Sequence, residues 1–148
     1  MQSNDMLDET FTMTLMTTLD PTEDSPVSID LRIGSNTQWN FVSFVATQLE
    51  AGRLKEGDYL ILDNASVHSG SDSFPILLQL LQHHGVQLIF LPTYSPELNP
   101  CEEIFAGIKN HIRFWRGHAR FWEEIIRSTA MVSYRDVCNY YNHAISFD

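Results

Sequence analysis

Leu60-Ile61-Leu62-Asp63-Asn64-Ala65-Ser66-Val67-His68 is an apolar run that stops abruptly at an Asp-Asn pair and then reaches a His. With Tyr59 it reads as a short strand of the kind buried on both faces, ended by Asp63. Open α/β sheets place their ligands at the carboxyl ends of such strands. An ionised Asp there is costly unless it is paired or binds a cation. The alternative is a side chain that caps the loop ahead of the next helix. Asn64 and His68, close behind, favour the functional reading. His68 can be a base, a substrate contact or a structural residue.

Working outward, the next strand is expected at Val86–Leu91, after a helix from near Pro75 to His84 that Gly85 closes. Strand, helix and strand with short links make a βαβ unit with a parallel pair. There follows Leu91-Pro92-Thr93-Tyr94-Ser95-Pro96-Glu97-Leu98-Asn99-Pro100-Cys101-Glu102, a loop stiffened by three prolines. Asn99 at the cap and Pro100 in the first turn start a helix that runs to about Trp115, with Gly117 ending it. Glu102 sits at the third helical position. It can face a cleft, or it can reach back to the Asn99 backbone as a capping box does. Glu103 points about 100° away around the helix, so only one of the two can face Asp63. Lys109, seven residues on from Glu102, shares its face and can hold a phosphate or simply meet solvent. A strand-end Asp and a helix-borne Glu supply hard oxygen ligands from rigid elements, which suits a divalent metal.

The rest of the chain frames this stretch. Residues 1–10 are polar and unpatterned. Phe11–Leu19 and Val27–Ile33 alternate and read as an antiparallel pair across the turn Pro21–Pro26. Asn36 is the expected cap of a helix to about Ala51, with Trp39, Phe41, Val42, Val45 and Leu49 as its apolar stripe. Helices are also expected over Arg120–Met131 and Tyr134–Ala144, the latter started by Ser133 with Asp136. Trp115 and Trp122 read as core residues or as stacking platforms.

At 148 residues with 43% hydrophobic content the chain can bury a real core. No apolar run is long enough to span a membrane and no basic leader opens the sequence, so an intracellular protein is expected, nuclear if its host is eukaryotic. Cys101 and Cys138 are too few for a disulfide scaffold and read as reduced thiols. The net charge of −10 argues against an unselective nucleic-acid binder. Its distribution is uneven, however. Residues 1–103 hold three basic residues against fifteen acidic, whereas residues 104–148 hold six against four. The six (Lys109, Arg113, Arg116, Arg120, Arg127 and Arg135) gather after Glu102, either as a path for a DNA strand or as a solvated helix face.

Leu62-Asp63-Asn64-Ala65-x-x-His68, followed by Leu91-Pro92-x-Tyr94-Ser95-Pro96-x-Leu98-Asn99-Pro100-x-Glu102-x-x-Phe105-x-x-x-Lys109, closely resembles the Tc1/mariner and IS630-like transposases. The resemblance covers residues 11–116 well and residues 117–148 weakly, which would make the latter a C-terminal helical appendage. It implies an α/β, RNase H-like (integrase-type) mixed sheet flanked by helices. It makes Asp63 the second and Glu102 the third carboxylate of an acidic triad. Asn64, His68, Lys109 and Arg113 become candidate DNA contacts, Arg113 from its place among the basic residues. The implied reaction is DNA strand cleavage and transfer with Mg²⁺ or Mn²⁺, two metals about 3.5–4 Å apart clamping the attacking and leaving oxygens. No small-molecule substrate is implied.

The departure from the family is at the front, where its members carry a first Asp on a central strand. Asp8-Glu9 spells the usual dipeptide, but Met1–Leu7 is not the continuous apolar run a central strand requires. The first strand and first Asp are therefore expected to be missing, with Asp8 an accidental match or a substitute ligand. Without that strand the hairpin and the parallel pair each expose an inner edge that another protein chain could complete. Two function classes follow. One is a fragment or derivative of a DDE-type transposase or endonuclease. The other is a catalytically dead remnant acting only as a nucleic-acid or protein binding module.

Overall fold

The computed structural model describes residues 11–34, 37–63, 72–92 and 96–146. The chain divides into two compact units, Met1–Ser35 with Glu97–Asp148, and Asn36–Pro96 between them in sequence. The secondary structure is mixed α/β. The described strands form two two-stranded sheets, and neither carries a third strand among the described residues.

The first unit is built on an antiparallel hairpin, β1 (Phe11–Thr17) and β2 (Val27–Ile33), with Phe11 opposite Ile33 and Thr17 opposite Val27. Alternation decides its faces. Phe11, Met13, Leu15, Val27, Ile29 and Leu31 turn to a common core. On the other face Arg32 donates to the Asp30 carboxylate at 2.9 Å. Three helices complete this unit: α3 (Pro100–Ile112), α4 (Phe121–Ala130) and α5 (Tyr134–Ser146). Ile104, Ile108 and Ile112 of α3 meet Phe121 and Ile125 of α4 and Val137 of α5, with Ile125 and Val137 fully enclosed. The expected start of α5 is present as a reciprocal pair. Asp136 N–H donates to Ser133 Oγ at 3.1 Å, and Ser133 N–H to Asp136 Oδ2 at 3.0 Å. The Ser133 N–H donated to it, with help from the Ser133 side chain, holds the Asp136 carboxyl below its ordinary range. Two α5 tyrosines tie the helix to the hairpin, Tyr134 Oη donating to Glu23 O and Tyr141 Oη to Thr17 O.

The second unit contains α1 (Gln38–Glu50), β3 (Tyr59–Leu62), α2 (Phe74–His83) and β4 (Gln87–Phe90). β3 and β4 pair in parallel, Leu60 beside Leu88 and Leu62 beside Phe90, as the βαβ pattern predicts. Val45, Leu49, Leu54, Leu60, Leu77, Leu81 and Val86 form its core. Gly85 ends α2 at φ +72, and a Cβ there would lie 2.8 Å from Glu56 Cγ, so the turn requires glycine twice over.

Three expectations change. Thr37 caps α1, its Oγ1 accepting from Asn40 N–H at 3.3 Å, while Asn36 lies outside the described residues. Trp39 is exposed and Phe44 is buried in its place. The stripe runs through residues 41, 44, 45, 48 and 49, and residue 39 falls about 160° from residue 41 on the helix. The strands expected to be buried on both faces are covered on one. Leu60 is enclosed, but Tyr59 and Ile61 are 60% and 48% exposed and Ile89 is exposed with them, because the unit's helices pack on the Leu60–Leu88 face alone.

Burial among core side chains pushes the Tyr141 phenol up to about 12, with the Cys101 thiol as a smaller cause. A raised value favours the neutral phenol in the fold. Its contribution is whole below the unfolded value of about 10 and is lost as pH rises from about 10 to about 12. That rise is equivalent to about 2–3 kcal/mol. Tyr134 and Tyr140 are also raised by burial, and titration of phenolate absorbance is expected to show a last step, from Tyr141, that accompanies unfolding. In Tyr141→Phe that step is absent, and a Phe variant with an unchanged profile contradicts the assignment.

Candidate active site

Asp63 directly follows β3 and is half-buried. Its position is set by the ladder: Leu91 N–H donates to Leu62 O at 2.8 Å, extending the parallel pairing to the residue before Asp63. The strand-end placement expected from the sequence is thus present. Asn64 and His68 lie outside the described residues, as does Asp8.

Glu102 is placed by the start of α3. Asn99 Oδ1 accepts from Cys101 N–H at 3.0 Å, and Pro100 occupies the first turn, where its missing N–H costs nothing. Glu102 N–H donates to Asn99 O at 3.1 Å. The Glu102 carboxylate makes no hydrogen bond or ion pair with another described residue and is exposed, so the capping-box alternative is not realised. Glu103, the rival carboxylate, is engaged by His143 Nδ1 of α5. The structure therefore separates the two: Glu103 binds one helix to another, and Glu102 faces outward.

Lys109 and Arg113 lie seven and eleven residues beyond Glu102, within about 40° of one another on a helical projection. Both are exposed, and neither has a carboxylate partner among the described residues. The opposite flank of α3 carries Ile104, Ile108 and Ile112 into the core. One helix thus presents a carboxylate at its start and two cations at its end, an order that also suits the helix dipole.

Not all the basic residues after Glu102 share that role. Arg127 Nη1 lies 3.6 Å and Arg120 Nη2 4.0 Å from Glu124 Oε1, and His111 Nε2 stands 3.0 Å from Oε2. Glu124 is 2% exposed, and sequence reasoning missed it. The available signal was spacing, since residues 121, 124, 125 and 129 share the buried stripe of α4. The His111 hydrogen bond, helped by Arg127 and Arg120, holds the Glu124 carboxyl below its ordinary range against the opposing effect of burial. Trp115 and Trp122 are half-buried against the same core, so of their two readings the structural one holds.

Asp and Glu oxygens are the right donors for Mg²⁺ or Mn²⁺. In number they fall short, because the described residues contain no group of three His, Cys, Asp or Glu able to hold a metal. Asp63 belongs to one compact unit and Glu102 to the other. No described helix is long and apolar enough to cross a membrane. A family model described as DDE superfamily endonuclease matches residues 9–124, a span that includes both carboxylates. No curated protein matches the chain.

A lowered carboxyl value contributes stability that is whole above the unfolded value of about 4.3 and is lost as pH falls through the folded one. Glu124→Gln keeps the shape and removes the charge, leaving the exposed Arg120 and Arg127, which water can solvate, and His111 beside them. Denaturation across pH 7 to about 3 is expected to find the variant less stable at neutral pH. The gap should close as acid protonates Glu124 in the native protein. A constant gap at every pH means that the charge is not what stabilises.

Proposed function

This chain belongs to the DDE superfamily endonuclease family, and on that premise we propose that it acts on DNA through Asp63 and Glu102, two carboxylates of a metal-dependent site. Within the family the reading is of the Tc1/mariner and IS630-like kind, on an RNase H-like core. The observation that carries it is the state of Glu102: exposed, without a partner among the described residues, and held at a capped helix start while Glu103 is taken by His143. A carboxylate kept this way is suited to a cation or a reacting group, not to the fold.

Each residue has a definite role on this reading. Asp63 and Glu102 would hold Mg²⁺ or Mn²⁺, which when bound supplies positive charge at the phosphate whose bond is broken. Lys109 and Arg113 neutralise neighbouring phosphates and set the register of the strand without reading its bases. Asn64 and His68 are contacts close behind Asp63. A third carboxylate is needed, and it comes from outside the described residues, either from Asp8 or from another chain.

The second reading, an inactive nucleic-acid or protein binding module, is favoured by one observation: the absence of a three-ligand group among the described residues. Both readings are tested together. The purified 148-residue chain is incubated with supercoiled plasmid and Mg²⁺ or Mn²⁺, and duplex binding is followed against salt. Binding at low salt without nicking is expected if Asp63 and Glu102 are the chain's own ligands and Asp8 is not a third. Lys109→Ala and Arg113→Ala should each weaken binding and lower the salt slope by about one. Nicking that disappears in both Asp63→Ala and Asp8→Ala makes Asp8 the third ligand. A chain that binds no DNA at low salt refutes the DNA reading altogether.

A further inference from the structure

The turn that joins α3 to α4, Arg113-Phe114-Trp115-Arg116-Gly117-His118-Ala119-Arg120, interleaves three arginines and a His with two aromatic residues. Its two aromatic side chains behave differently. Trp115 packs on the core and meets the His118 ring edge-on at 4.9 Å. Phe114 is 79% exposed, and apolar surface left in water is unfavourable. The Arg113 guanidinium lies over its ring, 5.0 Å from the centroid. A planar group can therefore approach the ring's other face.

The turn is rigid. His118 N–H donates to Trp115 O at 2.8 Å, Arg120 N–H to His118 Nδ1 at 3.1 Å, and Phe121 N–H to His118 O at 3.1 Å. Gly117 at φ +81 makes the reversal, in a conformation that side chains rarely adopt. Arg120 is held by Glu123 and Glu124. Arg113 and Arg116, on either side of Phe114, have no carboxylate partner among the described residues, in a chain of net charge −10. An exposed ring with the Arg113 guanidinium over one face, and Arg116 of the same turn over the Phe121 ring, combines a stacking surface with cations that no described carboxylate neutralises. Proteins that hold unpaired bases use both.

We propose that Phe114, with Arg113 and Arg116, forms a stacking site for an unpaired base of a single DNA strand. This rests on the DNA reading above and adds to it a preference for unpaired over duplex DNA. A Phe side chain has only two rotatable bonds to fix, so ordering it on binding costs little. Duplex DNA keeps its bases stacked inside and gains only the arginine contacts.

The test is fluorescence anisotropy of the full chain with a labelled single-stranded oligonucleotide and with its duplex. A strand carrying 2-aminopurine reports stacking directly. Phe114→Ala is expected to weaken single-strand binding about 5- to 150-fold. Duplex binding should be unchanged, and the quenching of 2-aminopurine seen with the native chain should be lost. Phe114→Trp should restore both, and unchanged melting of each variant shows that the fold is intact. Arg113→Ala and Arg116→Ala should each lower the salt slope on the single strand by about 0.7. If the native chain binds neither form of DNA, the DNA reading and this inference fall together. If it binds and Phe114→Ala weakens single strand and duplex equally, or neither, the inference alone is overturned. A Phe114 variant that alters only self-association makes the ring a contact between chains and likewise overturns it.

Discussion

Three isoleucines four residues apart on α3 have to be covered, and the first unit is arranged around that need. Ile104, Ile108 and Ile112 are enclosed by Val27 of the hairpin, Phe121 and Ile125 of α4 and Val137 of α5. A β-branched residue in a helix loses a few tenths of a kcal/mol against a straight-chain one, while full burial of its side chain gains about 1.5–3 kcal/mol. Burial wins by a wide margin and thereby fixes the rotation of the helix. With the isoleucines inward, Glu102, Lys109 and Arg113 face out and Glu103 faces His143. Shifting the pattern by one residue would turn every side chain by about 100° and exchange the two glutamates. Packing, not local chemistry, decides which carboxylate is available.

What could be read from the sequence follows the same division. The hairpin register, the parallel pair, the Asn99 cap and the Ser133–Asp136 box rest on alternation and on side chains that bond within three residues. Such features are local and were legible. Glu124 was not, because its burial depends on His111, thirteen residues earlier and on another helix. Trp39 misled for a related reason. A large aromatic near an apolar stripe reads as core, but its angle on the helix places it outside. Of the proposed site, the placement of Asp63 at a strand end and of Glu102 at a helix start was legible. The resemblance already pointed to Glu102, but the contact that engages Glu103 comes from His143 of α5, which the local sequence around α3 does not mention.

The second unit shows a different limit. An apolar run such as Tyr59–Leu62 states how much of a strand can be buried, not how much is. Here α1 and α2 cover the Leu60–Leu88 face, while Tyr59, Ile61 and Ile89 stay in water. Parallel strands are ordinarily covered on both faces, and two strands alone are marginal in water. The pair is therefore held by its helices: Leu60 and Val86 are anchored against Leu77 and Leu81. Beside Asp63 this one-sided core is continued by the Leu91–Leu62 hydrogen bond that extends the ladder.

The cations divide between the fold and the surface. Asp30 takes Arg32, and Glu124 takes Arg120 and Arg127. Those pairs commit basic residues to the fold. Lys109, Arg113 and Arg116 remain without carboxylate partners among the described residues, and they are consecutive basic residues along α3 and the turn after it. On the proposed reading, an acidic chain benefits from this division. Phosphates are repelled by an acidic chain and attracted by a local run of cations, so the field that weakens binding overall also restricts where a strand can approach. A net charge of −10 then tells against unselective binding without telling against binding at that strip.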